Sequence, residues 1–388
     1  MGNFKWGLFT GLCMTAFAFG CGDDIDGVVD QTPSGGETGN ETGGETGGET
    51  GDMDPVEPLD LSELVAGEWT FIENENMVCM DGSTSGFGVR LKEGATKLLI
   101  HLQDGGACFN TATCGQVFNQ NGFLEPEMTM WANTFGGGGI FDDASGPFAE
   151  YSMVFVPYCG GDVHGGNTTD GFGDRMHLGR GNVTAVLDAV EPAFGAISDK
   201  VILSGSSAGA LGVLLNYEQT AETFEGTPVD LLSDSGPVLD DMILAPCLQQ
   251  EVRDIWNLNP SLPADCQNCT NADGGGLTNI YEYLATTYPE RNFSLLTTTN
   301  DNVFTAFYAF GGNNCSIDFG INLSPGVFRW AARMQAFENM NIYVLNGSSH
   351  VLTNNRLNSI SEGITLSDWL VDFETESAVW EDVVPAAP

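Results

Sequence analysis

The chain has 388 residues, 42% of hydrophobic type, enough for a substantial core, and its 12 Lys+Arg against 53 Asp+Glu give a formal charge of −41. Length favours one large α/β domain behind a tail over two small domains. The charge disfavours nucleic acid and anionic membrane surfaces as partners.

At the start, Lys5 precedes an acid-free apolar run from Trp6 to Gly20, closed by Asp23 and Asp24. That run is too short for a membrane span, so residues 1–21 read as an export signal. Ala18-Phe19-Gly20-Cys21-Gly22 resembles a bacterial lipoprotein signal, in which Cys21 carries the lipid and supplies the only membrane contact. Ala16-Phe17-Ala18 offers an ordinary cleavage site instead, with secretion as the outcome. Residues 22–58 follow as a disordered acidic linker: Gly35 to Gly51 repeats Gly-Glu-Thr and has nothing apolar to bury. A globular domain is expected over residues 59–388.

In the domain, Glu68–Glu73 and Gly86–Leu91 read as an antiparallel edge pair. Six apolar runs predict buried parallel strands: Lys97–Leu102, Ser152–Pro157, Lys200–Ser204, Val229–Ser233, Phe293–Thr297 and Asn341–Leu345. Helical patterns fall between them at Asn182–Phe194, Ala208–Thr223 and Pro325–Asn339. The alternation predicts a doubly wound, mostly parallel sheet with helices on both faces, and Gly205-Ser-Ser-Ala-Gly209 between a strand and a helix makes it α/β-hydrolase-like. The stretch Cys247–Tyr288 breaks the rhythm and reads as a disulfide-containing insertion, in position to cap the active site.

Of ten cysteines, Cys13 and Cys21 belong to the signal and leave eight in the domain, an even number that suits disulfides in an oxidising compartment. Cys108 and Cys114 flank one short loop and read as a local pair. Cys266-Gln-Asn-Cys269 has no second such pair and no nearby histidine, so structural bonding is favoured over redox chemistry or a zinc site.

The chemistry is most legible at Val201–Leu215, an apolar strand, then Gly205-Ser-Ser-Ala-Gly209, then an apolar helix. This is the pattern of a nucleophile elbow, in which a strained strand-to-helix turn exposes one serine, here Ser207. A serine hydroxyl needs a base, the base an orienting acid, and the developing oxyanion N–H donors. Among the four histidines, His101 falls inside a strand and reads as packed core, His164 is a candidate to line a pocket, and His177 precedes a helix without special context. His350 follows the last strand, where such a sheet carries its base. Asp301 follows the strand before it and is the favoured acid; Asp234, one strand earlier, is the rival, or else a residue that holds the floor of the site. Oxyanion donors are expected from Ala208 and the glycine-rich loop Asp104–Asn110. This chemistry calls for no metal and no cofactor.

Taken in series, Cys79-Met-Asp-Gly, Gly105-Gly-Ala-Cys-Phe-Asn110, Val156-Pro-Tyr-Cys159 with Gly161-Asp-Val163, the elbow, Ser233-Asp-Ser-Gly236, Asp301 and His350 resemble the pectin acetylesterase family, which includes Notum-type carboxylesterases. The resemblance implies an exported bacterial serine carboxylesterase with Ser207, Asp301 and His350 as triad and the Gly106, Ala107 and Ala208 amides as oxyanion hole. It also implies the disulfides Cys79–Cys159 and Cys108–Cys114, leaving Cys247, Cys266, Cys269 and Cys315 open. The expected substrate is an acyl, above all acetyl, ester of a carbohydrate. Ala107 stands where the family carries Trp, which removes an aromatic wall, and the chain's negative charge repels polygalacturonate, so neutral acetylated polysaccharides and small acetyl esters are as suitable as pectin. A lipase or polyester-type esterase, and a non-catalytic surface binding protein on the same fold, are the alternatives.

Overall fold

The computed structural model describes residues 59–387. The expected signal, Cys21 and the linker lie outside the described residues. Eight strands form one sheet in the order β1-β2-β4-β3-β5-β6-β7-β8. They are β1 Trp69–Val78, β2 Thr84–Arg90, β3 Lys97–Leu102, β4 Ser152–Val156, β5 Lys200–Ser206, β6 Val229–Asp234, β7 Phe293–Thr298 and β8 Met340–Leu345. Pairings β1–β2 and β2–β4 are antiparallel, and the other neighbours run parallel. The helices among the described residues are α1 Thr111–Cys114, α2 Glu125–Thr134, α3 Gly179–Phe194, α4 Ala208–Thr223, α5 Pro246–Trp256, α6 Ile280–Thr287, α7 Asn302–Tyr308, α8 Gly312–Cys315, α9 Ser324–Met334 and α10 Leu366–Glu374.

The pleat explains why the central strands read as unbroken apolar runs. Leu98, Ile100 and Leu102 of β3 enter a core with Val183 and Val186 of α3 and Val213 of α4. Leu99 points the other way, into a second core with Trp131 of α2 and Trp369 and Phe373 of α10. Both faces are therefore covered by helices, as the parallel strands require. Because β3 to β8 run parallel except for their edge partners, the loops after β3, β5, β6, β7 and β8 emerge at one end of the sheet, the end where open α/β sheets bind ligands.

Several expectations needed adjustment. Strand β1 runs on to Val78, with irregular pairing between Asn74 and Val78. The stretch Cys247–Tyr288 is not irregular throughout: it contains α6 and nearly all of α5, whose buried Leu248 and Trp256 flank Val252 at steps of four residues. The eight domain cysteines form four bridges, Cys79–Cys159, Cys108–Cys114, Cys247–Cys315 and Cys266–Cys269. Cys247–Cys315 ties α5 to α8. Among the described residues no helix is long and apolar enough to cross a membrane.

Candidate active site

Ser207 sits where β5 turns into α4, with φ 52° and ψ −113°. A non-glycine residue rarely adopts that backbone, and its neighbours enforce it. A Cβ on Gly205 would overlap the Gly209 carbonyl, and one on Gly209 would overlap the Leu102 carbonyl at the end of β3. The elbow packs so tightly that only glycine fits on either side of the serine's turn.

Asp301 ends the loop after β7 and caps α7. Its Oδ1 accepts hydrogen bonds from the Val303 amide at 2.8 Å and the Phe304 amide at 3.1 Å. Its Oδ2 lies 2.8 Å from Nδ1 of His350. One carboxylate thus finishes a helix with one oxygen and orients an imidazole with the other. The ring nitrogen that remains for a serine is Nε2. Burial pushes the His350 pKa down, but the hydrogen bond and charge of Asp301, with Asp234 and Asp104 beyond, hold it above the ordinary 6.5. Phe304 stands 5.9 Å from the imidazole, centroid to centroid, and lines the cavity that Ser207 also lines.

Gly106, Ala107 and Ala208 line that same cavity. The loop that carries the first two is fixed from several sides. The Tyr158 hydroxyl donates to the Gly106 carbonyl at 3.0 Å, and the Cys108 amide donates to Gly161 O at 2.7 Å. Trp256, the last residue of α5, donates its indole N–H to the Cys108 carbonyl at 2.7 Å. The cavity, about 110 Å³, is walled by α4, the Cys247–Tyr288 insertion and α7, chiefly through Leu214, Leu248, Val252, Trp256, Leu258 and Phe307. Its lining is almost wholly aliphatic and aromatic.

The remaining candidates lie elsewhere. His101 is buried in β3, with Nδ1 3.0 Å from Ser204 Oγ and Phe141 edge-on to its ring. His164, a candidate pocket residue, does not line the cavity: it is buried with Nε2 2.9 Å from the Gln103 carbonyl, and burial lowers its pKa. His177 is also buried, Nδ1 2.7 Å from Gly160 O. Asp234 does not line the cavity either. Its carboxylate receives the amides of Leu352 and Thr353, both at 2.8 Å, so it holds the loop that carries His350. Among the described residues no cluster of three or more His, Cys, Asp or Glu could hold a metal ion.

Sequence reasoning set the Cys247–Tyr288 stretch over the site, where it lines the cavity, but did not name the residues of that wall, and it missed the Trp256 hydrogen bond. The four-residue spacing of Leu248, Val252 and Trp256 was the available signal for the first; the second joins residues 148 apart and left no local trace.

Residues 62–288 match the pectinacetylesterase family model, well over half of the chain. The chain belongs to the pectinacetylesterase family. It is 34% identical over 181 residues to the palmitoleoyl-protein carboxylesterase notum2 of Xenopus laevis, covering 44% of this chain and 36% of that protein. Against human NOTUM the identity is 31% over 179 residues, 43% of this chain and 36% of that one. Drosophila melanogaster NOTUM gives 27% over 216 residues, 50% and 32%. The alignments span about a third of the length of these curated relatives. The family match includes Ser207 and the glycine loop and stops before Asp301 and His350, so those two rest on geometry in this pectinacetylesterase relative.

Proposed function

We propose that the protein is an exported carboxylesterase in which Ser207 is the nucleophile, His350 the base and Asp301 the orienting acid. The observation that carries this reading is the 2.8 Å contact of Asp301 with His350 at the same sheet end as the strained elbow. Ser207 Oγ attacks the acyl carbon as its proton passes to His350 Nε2. The amides of Gly106, Ala107 and Ala208 receive the oxyanion. The intermediate collapses, the alcohol leaves with the proton from Nε2, and water then releases the acid by the same route. Four disulfides support export to an oxidising compartment.

The cavity supports an aliphatic acyl group longer than the acetyl expected from the sequence. Its lining offers an acetyl group little to recognise and an alkyl chain a continuous apolar surface. The curated relatives are named for a palmitoleoyl group, which agrees with that direction. Each methylene buried contributes about 0.8 kcal/mol, or roughly fourfold in kcat/KM. A series of p-nitrophenyl esters from acetyl upward tests the proposal: kcat/KM should climb with each added methylene until the cavity is full. A fall from acetyl onward would restrict the enzyme to acetyl esters, and no turnover of any ester would remove the catalytic reading.

A further inference from the structure

Three neighbouring non-glycine residues have left-handed backbones: Ser207 at φ 52°, Ser235 at 58° and Val351 at 56°. Val351 is the least expected, because a branched Cβ crowds the backbone in that region. It directly follows His350. Such conformations persist only where the surroundings over-determine them, and here one dipeptide does so. The Asp234 carbonyl accepts the Ser207 amide at 2.8 Å. The Ser235 hydroxyl accepts the Val351 amide at 3.0 Å and donates to Asp234 Oδ1 at 2.9 Å. Asp234 Oδ2 accepts the Leu352 and Thr353 amides at 2.8 Å each and the Thr353 hydroxyl at 2.7 Å. The Ser235 amide is itself held by Leu296 O at 2.9 Å, so the dipeptide is anchored to β7. A Cβ on Gly236 would overlap Ala210 in the first turn of α4, so the segment lies directly against the elbow.

Resting on the triad reading above, we propose that Asp234 and Ser235 form a positioning clamp, holding the backbones of Ser207 and of the His350 loop in one fixed relation so that imidazole meets hydroxyl. Neither side chain touches the ester. Every neighbour of the Asp234 carboxyl named above donates to it, which favours the ionised form against the burial that pushes its pKa up. The charged groups facing His350 are all acidic: Asp301 at the start of α7, Asp234 at the end of β6 and Asp104 after β3. The clamp therefore also helps to keep the base protonatable at higher pH.

Two variants test this. Ser235→Ala removes the acceptor of the Val351 amide, and kcat should fall on the order of tenfold, with KM changed less than about twofold, because the acyl cavity is lined elsewhere. Asp234→Asn keeps the shape, removes the charge and sets an amide against N–H donors; kcat should fall about 100-fold, the loss typical of a misplaced catalytic group. The His350 titration midpoint, read by NMR, should move to lower pH in Asp234→Asn and stay within about 0.3 units of wild type in Ser235→Ala, where no charge is lost. A merely structural residue would leave the ratio of kcat to KM and this titration unmoved. Wild-type kcat in folded Ser235→Ala overturns the clamp, and so does an unshifted His350 midpoint in Asp234→Asn. If Asp234→Asn does not fold, Ser235→Ala decides alone. Absence of wild-type ester turnover would fail the triad reading instead, and the NMR titration is independent of turnover.

Discussion

Replacing Asp301 by Asn and by Ala separates the two jobs of one carboxylate. Oδ1 accepts the Val303 and Phe304 amides at the start of α7, and Oδ2 meets His350 Nδ1. Asparagine caps a helix as well as aspartate, so Asp301→Asn keeps the first job with its carbonyl oxygen. Its amide nitrogen then faces His350, which must present a bare Nδ1 and carry its proton on Nε2, the nitrogen required to receive the proton of Ser207. The loss in a comparable triad is about 10⁴-fold in kcat, equivalent to roughly 5.4 kcal/mol of barrier. Asp301→Ala should lose at least as much turnover and also the cap, about 1–2 kcal/mol of stability and a melting temperature lower by a few degrees. Steady-state hydrolysis of an aliphatic ester, beside thermal melts of both variants, makes the measurement. Asp301→Asn retaining more than about a tenth of kcat, or melting with the alanine variant, would refute the division of labour.

Three further outcomes are expected. With the neutral His350 imidazole as the proposed base and its pKa held above 6.5, kcat/KM should rise with pH through a midpoint above 6.5; a midpoint at or below that value counts against the Asp301 contact. Replacing both Cys108 and Cys114 by Ser opens a bridge of sequence separation 6 beside the proposed oxyanion loop, whereas Cys79–Cys159 spans 80. The chain-entropy model gives about 2 against about 4.5 kcal/mol for the two losses, so the first double variant should melt higher than the second and lose kcat more than it gains KM. Trp256→Phe keeps an aromatic ring in the cavity but leaves the Cys108 carbonyl unpaired, and kcat should fall about fivefold to tenfold; unchanged turnover would show that α5 does not brace the proposed oxyanion loop.

Much of the scaffold was legible because its central strands are buried on both faces and its turn is sterically forced. Strand β3 and helix α4 begin and end where the sequence pattern puts them, at Lys97–Leu102 and Ala208–Thr223. The glycines at Gly205 and Gly209 announce close approach because no other residue fits there. Asp301 and Asp234 were harder to separate, since one lies just beyond and the other at the end of a parallel strand, and each lies near the proposed base. Only the tertiary arrangement distinguishes them: one carboxylate meets the imidazole, the other meets the amides just beyond it. The cavity wall was obscured for a different reason. In α5 the apolar stripe is interrupted by Gln249, Gln250 and Glu251 and flanked by Pro246 and Cys247, which together read as loop. The pairing of Cys247 with Cys315 depends on chain segments 68 residues apart, and four cysteines allow three pairings until the fold is known.

The central claim is that Ser207 is a nucleophile activated by His350. Treatment with a fluorophosphonate, followed by intact-mass analysis and peptide mapping, tests it most directly. The wild-type protein should gain one phosphonyl group on Ser207 rapidly, while Ser207→Ala gains none and His350→Ala reacts slower by several orders of magnitude. An adduct on another residue, or ester hydrolysis that persists in Ser207→Ala at more than about a tenth of the wild-type rate, would contradict it.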